Sequence, residues 1–497
     1  MNSATGTKKT VGFGKALVVF ICVFALILCG INVLGTSAHI PLVIATIVAA
    51  IAGVSSGFTW DEMEKGMSET IKASAPAILI MLIIGMVVGT WMLGGIIPTM
   101  IYYGLTWLSP KIFLFAACAL CVMVSTFTGS SWTTMGTVGV ALVGVGTALQ
   151  VPLGMTVGAI ISGAYFGDKM SPLSDTTNLA PAMAGTDVIT HVKSMILPTG
   201  ITYAITLIFF GVLGVMQYHG GDADMSRVIE FSNALNAAEG GIFNINPLLL
   251  LPPVVVIVAV ALKVPAIPGI TLGIVAGVIL GLIFQPGACT LGTIFDYGKN
   301  GYYFSEEALA MFEANLTPET SYTMTRLLES GGIMGMMSSV SMTIIAMMFG
   351  GIMEETHQLE VIVNALKKFA KGPAALVGLT EVTCVLSNAT MPEQYISIVV
   401  PGRMYAEEYH KMGVHPAVLS SSLESAGTVT SALIPWNTCG VFIKDTLNIA
   451  PWGAGGYGPW AIFNWLMPII NWLCVLIGWT LKDLAGKPFK KSKKVAQ

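Results

Sequence analysis

A chain of 497 residues that is 54% hydrophobic and only 10% charged cannot cover itself with a water-facing surface, for which about 25% charged residues are usual. A mean hydropathy of +0.77 excludes an ordinary soluble enzyme and defines a polytopic membrane protein. A net charge of −3 gives no sign of a nucleic-acid partner.

Taken in chain order, the first apolar run is "GKALVVFICVFALILCGINVLG" (14–35). It is too long for a signal peptide, and no A-x-A-like site follows it. Runs at 39–57, 73–93, 196–216 and 461–481 are similar. Each is long enough to cross the ~30 Å hydrocarbon core as a helix. Lys8, Lys9 and Lys15 near the start, and Lys482, Lys487, Lys490, Lys491, Lys493 and Lys494 near the end, place both termini in the cytoplasm by the positive-inside rule. The number of crossings is then even, and about 12 are expected. Cys118 and Cys121 form C-x-x-C inside "KIFLFAACALCVMV", where a small-residue helix face is a better reading than a redox or zinc site.

Four polar interruptions punctuate these runs: "STFTGSSWTTMGTVG" (125–139), "GDKMSPLSDTTN" (167–178), "LSNATMPEQYISIVVPG" (386–402) and "TSALIPWNTCG" (430–440). Setting Thr128 on Thr390 gives an offset of 390 − 128 = 262, and setting Pro172 on Pro435 gives 435 − 172 = 263. Two independent motifs at one offset indicate an internal duplication. The expected organisation is a first transmembrane repeat (1–216), a polar linker (217–245) and a second repeat (246–497). The second repeat carries a polar insertion near 285–326 and ends in a basic cytoplasmic tail. Paired interrupted helices in two halves point to a secondary transporter. If each half crosses an odd number of times, the second is inverted. The expected fold is therefore all-α, with two inverted-topology repeats and interrupted or re-entrant helices at the midplane.

Pro172 breaks the helix that begins near Gly154, and such a break is tolerated in a membrane only where it is buried in protein or lines a cavity. Asp168 and Asp175 flank it, and Ser171, Ser174, Thr176, Thr177 and Asn178 add neutral oxygens. Hard cations want oxygen ligands of this kind. A carboxylate at low dielectric can also exchange a proton, so one group that takes either Na⁺ or H⁺ gives antiport by competition. Lys169 is read both as a counter-charge for an empty site and as a chain snorkelling to solvent. In the second half Asn437 stands where Ser174 does and Thr438 where Asp175 does, so the acid is missing there; Glu424 supplies one nearby. Glu393 stands opposite Ser131, and Asn388 and Thr390 precede its proline break. Ser130 and Ser131 can face the site from the first interruption. Glu381 is read as a buried pairing residue, His191 as a solvated loop histidine, and the glycines of 129–146 and 331–335 as packing surfaces.

The stretch "GDKMSPLSDTTNLAPAMAGTDVITHVKSM" (167–195) resembles the signature of the NhaC-type Na⁺/H⁺ antiporter family, which includes malate/lactate exchangers and belongs to the ion-transporter superfamily. The resemblance implies a multi-pass secondary transporter of the bacterial inner membrane, with Asp168, Asp175 and Asn178 in the transport site holding Na⁺. It carries a homodimer as a further expectation, and implies no cofactor beyond the transported Na⁺ and H⁺. Two cargoes stay open. The scarcity of arginine near the breaks favours a bare cation, because organic dianions are commonly clamped by arginine. The serines and half-helix ends could instead hold a small organic anion or an amino acid. A third reading, an intramembrane hydrolase, rests on "GVSSG" (53–57) alone, with no His or Asp partner and no strand–turn–helix elbow.

Overall fold

The structure is a computed structural model that describes residues 9–32, 36–217, 222–318, 321–322, 325, 328–329, 332–368 and 370–489. Lys8, Gly331, Lys490, Lys491, Lys493 and Lys494 lie outside the described residues, as does part of the linker. Among those described there are only helices and isolated bridges. In chain order they are α1 (Phe13–Asn32), α2 (His39–Val54), α3 (Trp60–Leu93), α4 (Ile96–Trp107), α5 (Pro110–Thr128), α6 (Ser131–Thr134), α7 (Val140–Ala148), α8 (Leu153–Met170), α9 (Asp175–Ala184), α10 (Val188–Gln217), α11 (Asp222–Leu235), α12 (Leu251–Ala261) and α13 (Ala266–Phe284). There follow α14 (Leu291–Asn300), α15 (Glu306–Asn315), α16 (Gly332–Gly335), α17 (Met337–Glu355), α18 (Gln358–Lys367), α19 (Pro373–Thr390), α20 (Ile396–Lys411), α21 (Pro416–Ser422), α22 (Thr438–Leu447) and α23 (Ile462–Leu476).

Helices α3, α5, α10 and α13, and the run Gly332–Glu355, are long and apolar enough to cross a membrane. Four shorter apolar helices accompany them, at Phe13–Ile27, His39–Val54, Pro247–Ala261 and Ile462–Leu476. The run at 461–481 was expected to span as one helix. It stops at Leu476 because Gly478 adopts φ +85°, and the chain then turns into bridges joining Val414 to Asp483 and Lys482 to Pro488. The insertion forms the short helices α14 and α15, the first opened by Thr290, whose hydroxyl accepts from the Thr293 N–H at 3.2 Å.

Helix ends recur at a fixed spacing. α5 and α19 begin at Pro110 and Pro373 and end at Thr128 and Thr390. α8 and α21 begin at Leu153 and Pro416; α9 and α22 begin at Asp175 and Thr438 and end at Ala184 and Leu447. Every pair is 262 or 263 residues apart. Proline at the first helical turn of α5, α19 and α21 suits a position whose N–H has no intrahelical partner.

The halves interlock. α3 crosses α17 where Gly66 meets Gly351: a Cβ on Gly66 would stand 2.8 Å from the Gly351 oxygen, and one on Gly351 would stand 2.6 Å from the Gly66 oxygen. α5 packs along α8 through Gly163 and Gly167. A Cβ on Gly163 would strike the Cys118 carbonyl, and the Ser125 hydroxyl donates to the Ala164 carbonyl at 2.6 Å. Without water to compete, close backbone approach of small residues is what holds such helices together. Overpacking costs about 1–3 kcal/mol. Gly163→Val is therefore expected to lower the thermal transition of the detergent-solubilised protein. It should reduce transport as well, because α8 carries Asp168.

Candidate functional site

The two first-half interruptions meet each other. α5 ends at Thr128, and Gly129 turns the chain with φ +64°. A side chain on Gly129 would stand 2.7–2.8 Å from the backbone at Leu173–Ser174, so glycine is needed both for the conformation and for the contact. Ser130 caps the next helix, its hydroxyl accepting from the Thr133 N–H at 3.1 Å. Ser131 then opens α6, and its N–H and hydroxyl donate to Asp168 Oδ2 at 3.1 and 2.6 Å. The Ser174 hydroxyl, just before α9, donates to Asp168 Oδ1 at 2.5 Å. Asp168, 4% exposed, is thus a buried carboxylate with three donors aimed at it.

The broken backbone is satisfied locally, as a lipid-surrounded break requires. The Thr177 hydroxyl donates to the Asp168 and Lys169 carbonyls, each at 3.1 Å. Asn178 Nδ2 donates to the Pro172 and Ser174 carbonyls at 2.9 and 2.7 Å. The amide of Asn178 therefore braces the break, whatever its oxygen does. Asn178→Ala removes two side-chain bonds, freeing the Pro172 carbonyl and leaving the Ser174 carbonyl only the backbone N–H of residue 178; net loss of such bonds is worth about 1 kcal/mol each, so a several-fold fall in transport with normal expression is expected in vesicle assays.

Asp175 is the first residue of α9 and is exposed to a cavity of about 460 Å³. Among the described residues its carboxylate accepts no hydrogen bond. The cavity is also lined by Ser130, Asp168, Ser174, Thr176 and Asn178, by Lys263 of the α12–α13 turn, and by Gln394 and Tyr395 of the second half.

A run of polar contacts leads inward from Asp168. The Ser174 and Thr176 oxygens stand 3.0 Å apart, and the Thr176 hydroxyl donates to Glu424 Oε1 at 3.0 Å. Glu424 sits in a π-helical turn, Leu423–Thr428, and a second π turn, Met135–Gly139, lies between α6 and α7. Such turns recur at functional sites. Lys169 is fully buried, which rules out the snorkelling alternative. Its ammonium donates to the Ser425 hydroxyl at 3.0 Å and lies within electrostatic reach of Glu424 and Glu381. Glu381 accepts from Asn471 at 2.7 Å. His191 was expected in a solvated loop; it is instead buried in the first turn of α10, bonded to Ser420 at 2.8 Å.

In the second half, Asn388 Nδ2 donates to the Gly427 carbonyl at 2.6 Å, and Asn437 Nδ2 donates to Asn388 Oδ1 at 3.2 Å. The Asn437 oxygen caps α22 and accepts from Thr438 at 3.4 Å. The Thr438 N–H donates to the Pro392 carbonyl at 3.0 Å, fastening the two breaks together. Thr390 bonds only back to its own helix, at Leu386. Glu393 is 1% exposed and weakly bonded. Trp132 stacks on Phe442 with ring centroids 4.5 Å apart, joining the halves. The residues missed from sequence are Gln394, Tyr395 and Lys263. Gln394 and Tyr395 stood within "MPEQY", beside a proline break; Lys263 had no motif around it.

Ser55 of "GVSSG" is bonded to Lys15 and to the Ala52 carbonyl, without an acid–base partner. Among the described residues no three His, Cys, Asp or Glu side chains gather as a metal centre would need.

Apolar spanning helices around breaks lined with acids and hydroxyls define a multi-pass membrane protein. The profile of the Na⁺/H⁺ antiporter family matches residues 163–479. The chain is 34% identical over 463 residues to the Na⁺/H⁺ antiporter NhaC of Alkalihalophilus pseudofirmus, covering 93% of this chain and 95% of that one. It is 33% identical to the malate-2H⁺/Na⁺-lactate antiporter of Bacillus subtilis, covering 83% and 84%. It is equally identical to the arginine/ornithine antiporter ArcD of Halobacterium salinarum, covering 93% and 91%. The protein belongs to the Na⁺/H⁺ antiporter family; it is a transporter and not an enzyme. The YdaH transporter of Alcanivorax borkumensis aligns over 94% of this chain and 99% of its own, at 12% identity and a TM-score of 0.42.

Proposed function

We propose that the protein exchanges Na⁺ for H⁺ across the bacterial inner membrane, the two ions competing for membrane-embedded carboxylates. The observation that carries this is Asp168: a buried acid at the meeting of two helix breaks, ringed by hydroxyls and open to a cavity shared with Asp175. Na⁺ binds there when the Ser131 and Ser174 hydroxyls turn their oxygens, rather than their protons, toward it. Asp175 supplies the second charge at the mouth, and Asn178 holds the break in register. Paired helix ends at one spacing support two repeats; their inverted sense, about 12 crossings and cytoplasmic termini belong to the same reading, from the interrupted helices and the Lys-rich ends. A homodimer is consistent with the exposed apolar faces, and the lipid bilayer covers the rest.

A second reading has a specific observation in its favour. A cavity of about 460 Å³ with Lys263 at its edge exceeds what a bare ion needs, and relatives of equal identity are named for organic acids or amino acids. In that reading a small organic solute shares the cavity with the ion. Purified protein in liposomes holding an internal pH dye separates the two. NaCl alone drives proton movement if the exchange is Na⁺/H⁺. A response that requires malate, lactate or an amino acid assigns the solute reading.

A further inference from the structure

The acids of the site differ in what neutralises them. Asp168 has three donors, Glu381 has Asn471, and Glu424 has Thr176 on one oxygen and Lys169 nearby. Glu393 is served less well. It is 1% exposed; its Oε1 accepts the Tyr395 N–H at 3.5 Å, the Thr438 hydroxyl and the Gln394 N–H adjoin it, and its Oε2 has no partner. An anion buried this way, with weak donors and no cation beside it, is disfavoured. A proton removes the charge. Its place in the fold is equally distinctive. It stands in the second-half break 262 residues after Ser131, the residue that holds Asp168, and its neighbours Gln394 and Tyr395 reach the cavity.

We infer that Glu393 carries the proton of the exchange, while Asp168 carries the cation. The inference rests on the Na⁺/H⁺ reading and divides its competition between two carboxylates on facing breaks. In this scheme the described arrangement is the proton-loaded one, with Glu393 neutral and the Asp168 oxygens accepting from Ser131 and Ser174. Na⁺ arriving at Asp168 adds a positive charge to the same neighbourhood, since Tyr395, two residues from Glu393, lies within electrostatic reach of Asp168, Asp175 and Glu393. The O–H bond of Glu393 breaks, its proton leaves to solvent through the cavity, and the carboxylate remains. One positive charge enters and one departs. The titratable groups facing Glu393 are Cys439 on α22 and Tyr395 on its own segment, with Asp168 and Asp175 beyond Tyr395; the Thr438 hydroxyl adjoins it. α17 packs on the break at Met391–Pro392 through Gly350.

Infrared difference spectroscopy of the full-length protein in liposomes reads the proton directly. In the wild type, adding NaCl at fixed pH should bleach one protonated-carboxyl stretch. That component should be missing in Glu393→Gln, restored in Glu393→Asp, and present but insensitive to Na⁺ in Asp168→Asn. Glu393→Gln should also lose Na⁺-driven proton flux at least tenfold while radioactive Na⁺ still exchanges against Na⁺, which shows that the variant is folded. A Na⁺-sensitive carboxyl band that survives in Glu393→Gln, or wild-type proton coupling in that variant, overturns the assignment. If NaCl neither drives flux nor touches the band in the wild type, the Na⁺/H⁺ reading fails. A pH-sensitive band that is still lost in Glu393→Gln then upholds the proton site for another cargo.

Discussion

Asp168→Asn is expected to abolish Na⁺-driven proton movement. The amide keeps one acceptor oxygen for Ser131, and its NH₂ then meets the Ser174 hydroxyl, which must turn to accept, so the three bonds to a carboxylate become weaker neutral ones. The charge that would hold a cation is lost as well. Hydrogen bonds to charged groups are worth about 1.5–3 kcal/mol, and a loss of roughly 3 kcal/mol lowers ion affinity on the order of 100-fold. Folding should survive, because the substitution removes a buried charge rather than stranding one. The dye assay in liposomes, with size-exclusion behaviour as the folding control, reads the outcome. Normal exchange by Asp168→Asn would remove this residue from the site.

The second large effect is on stability. Lys169 is fully buried; its Nζ donates to the Ser425 hydroxyl, and Glu424 and Glu381 are the acids within electrostatic reach. Neither acid forms an ion pair with it among the described residues, yet removing either the amine or Glu424 leaves the remaining buried group less compensated and costs stability. Lys169→Met should therefore sharply lower the thermal transition in detergent. Glu424→Gln should do so too. The double variant should be more stable than the sum of the two losses, since neither charge remains. Strict additivity would mean that the two do not balance each other.

How much of this was legible in the sequence depends on the scale of the feature. Proline marks a helix break wherever it falls inside an apolar run, so Pro172, Pro392 and Pro435 located the breaks, and the offset between them matches the spacing of the helix ends. The pairing of Asp168 with Ser131 was half visible, in that both lay in breaks; which hydroxyl would reach which acid depended on Gly129 letting the two breaks touch. The π turns were not legible, because an extra residue in one helical turn leaves no residue-type signal. Lys169 was ambiguous and His191 was misread as solvated for one physical reason: a long or amphipathic polar side chain beside a helix end reads alike whether it points to solvent or inward. The run at 461–481 was over-read because hydropathy does not register the turn at Gly478.

The most direct test of the central claim is calorimetric titration of NaCl into the purified protein, with no organic solute, over a series of pH values. Competition at carboxylates predicts saturable Na⁺ binding that weakens as pH falls, because protons then occupy the acids, and no binding in Asp168→Asn. A wild-type protein that gives no heat with Na⁺ at any pH, yet binds malate, lactate or an amino acid, would contradict the account.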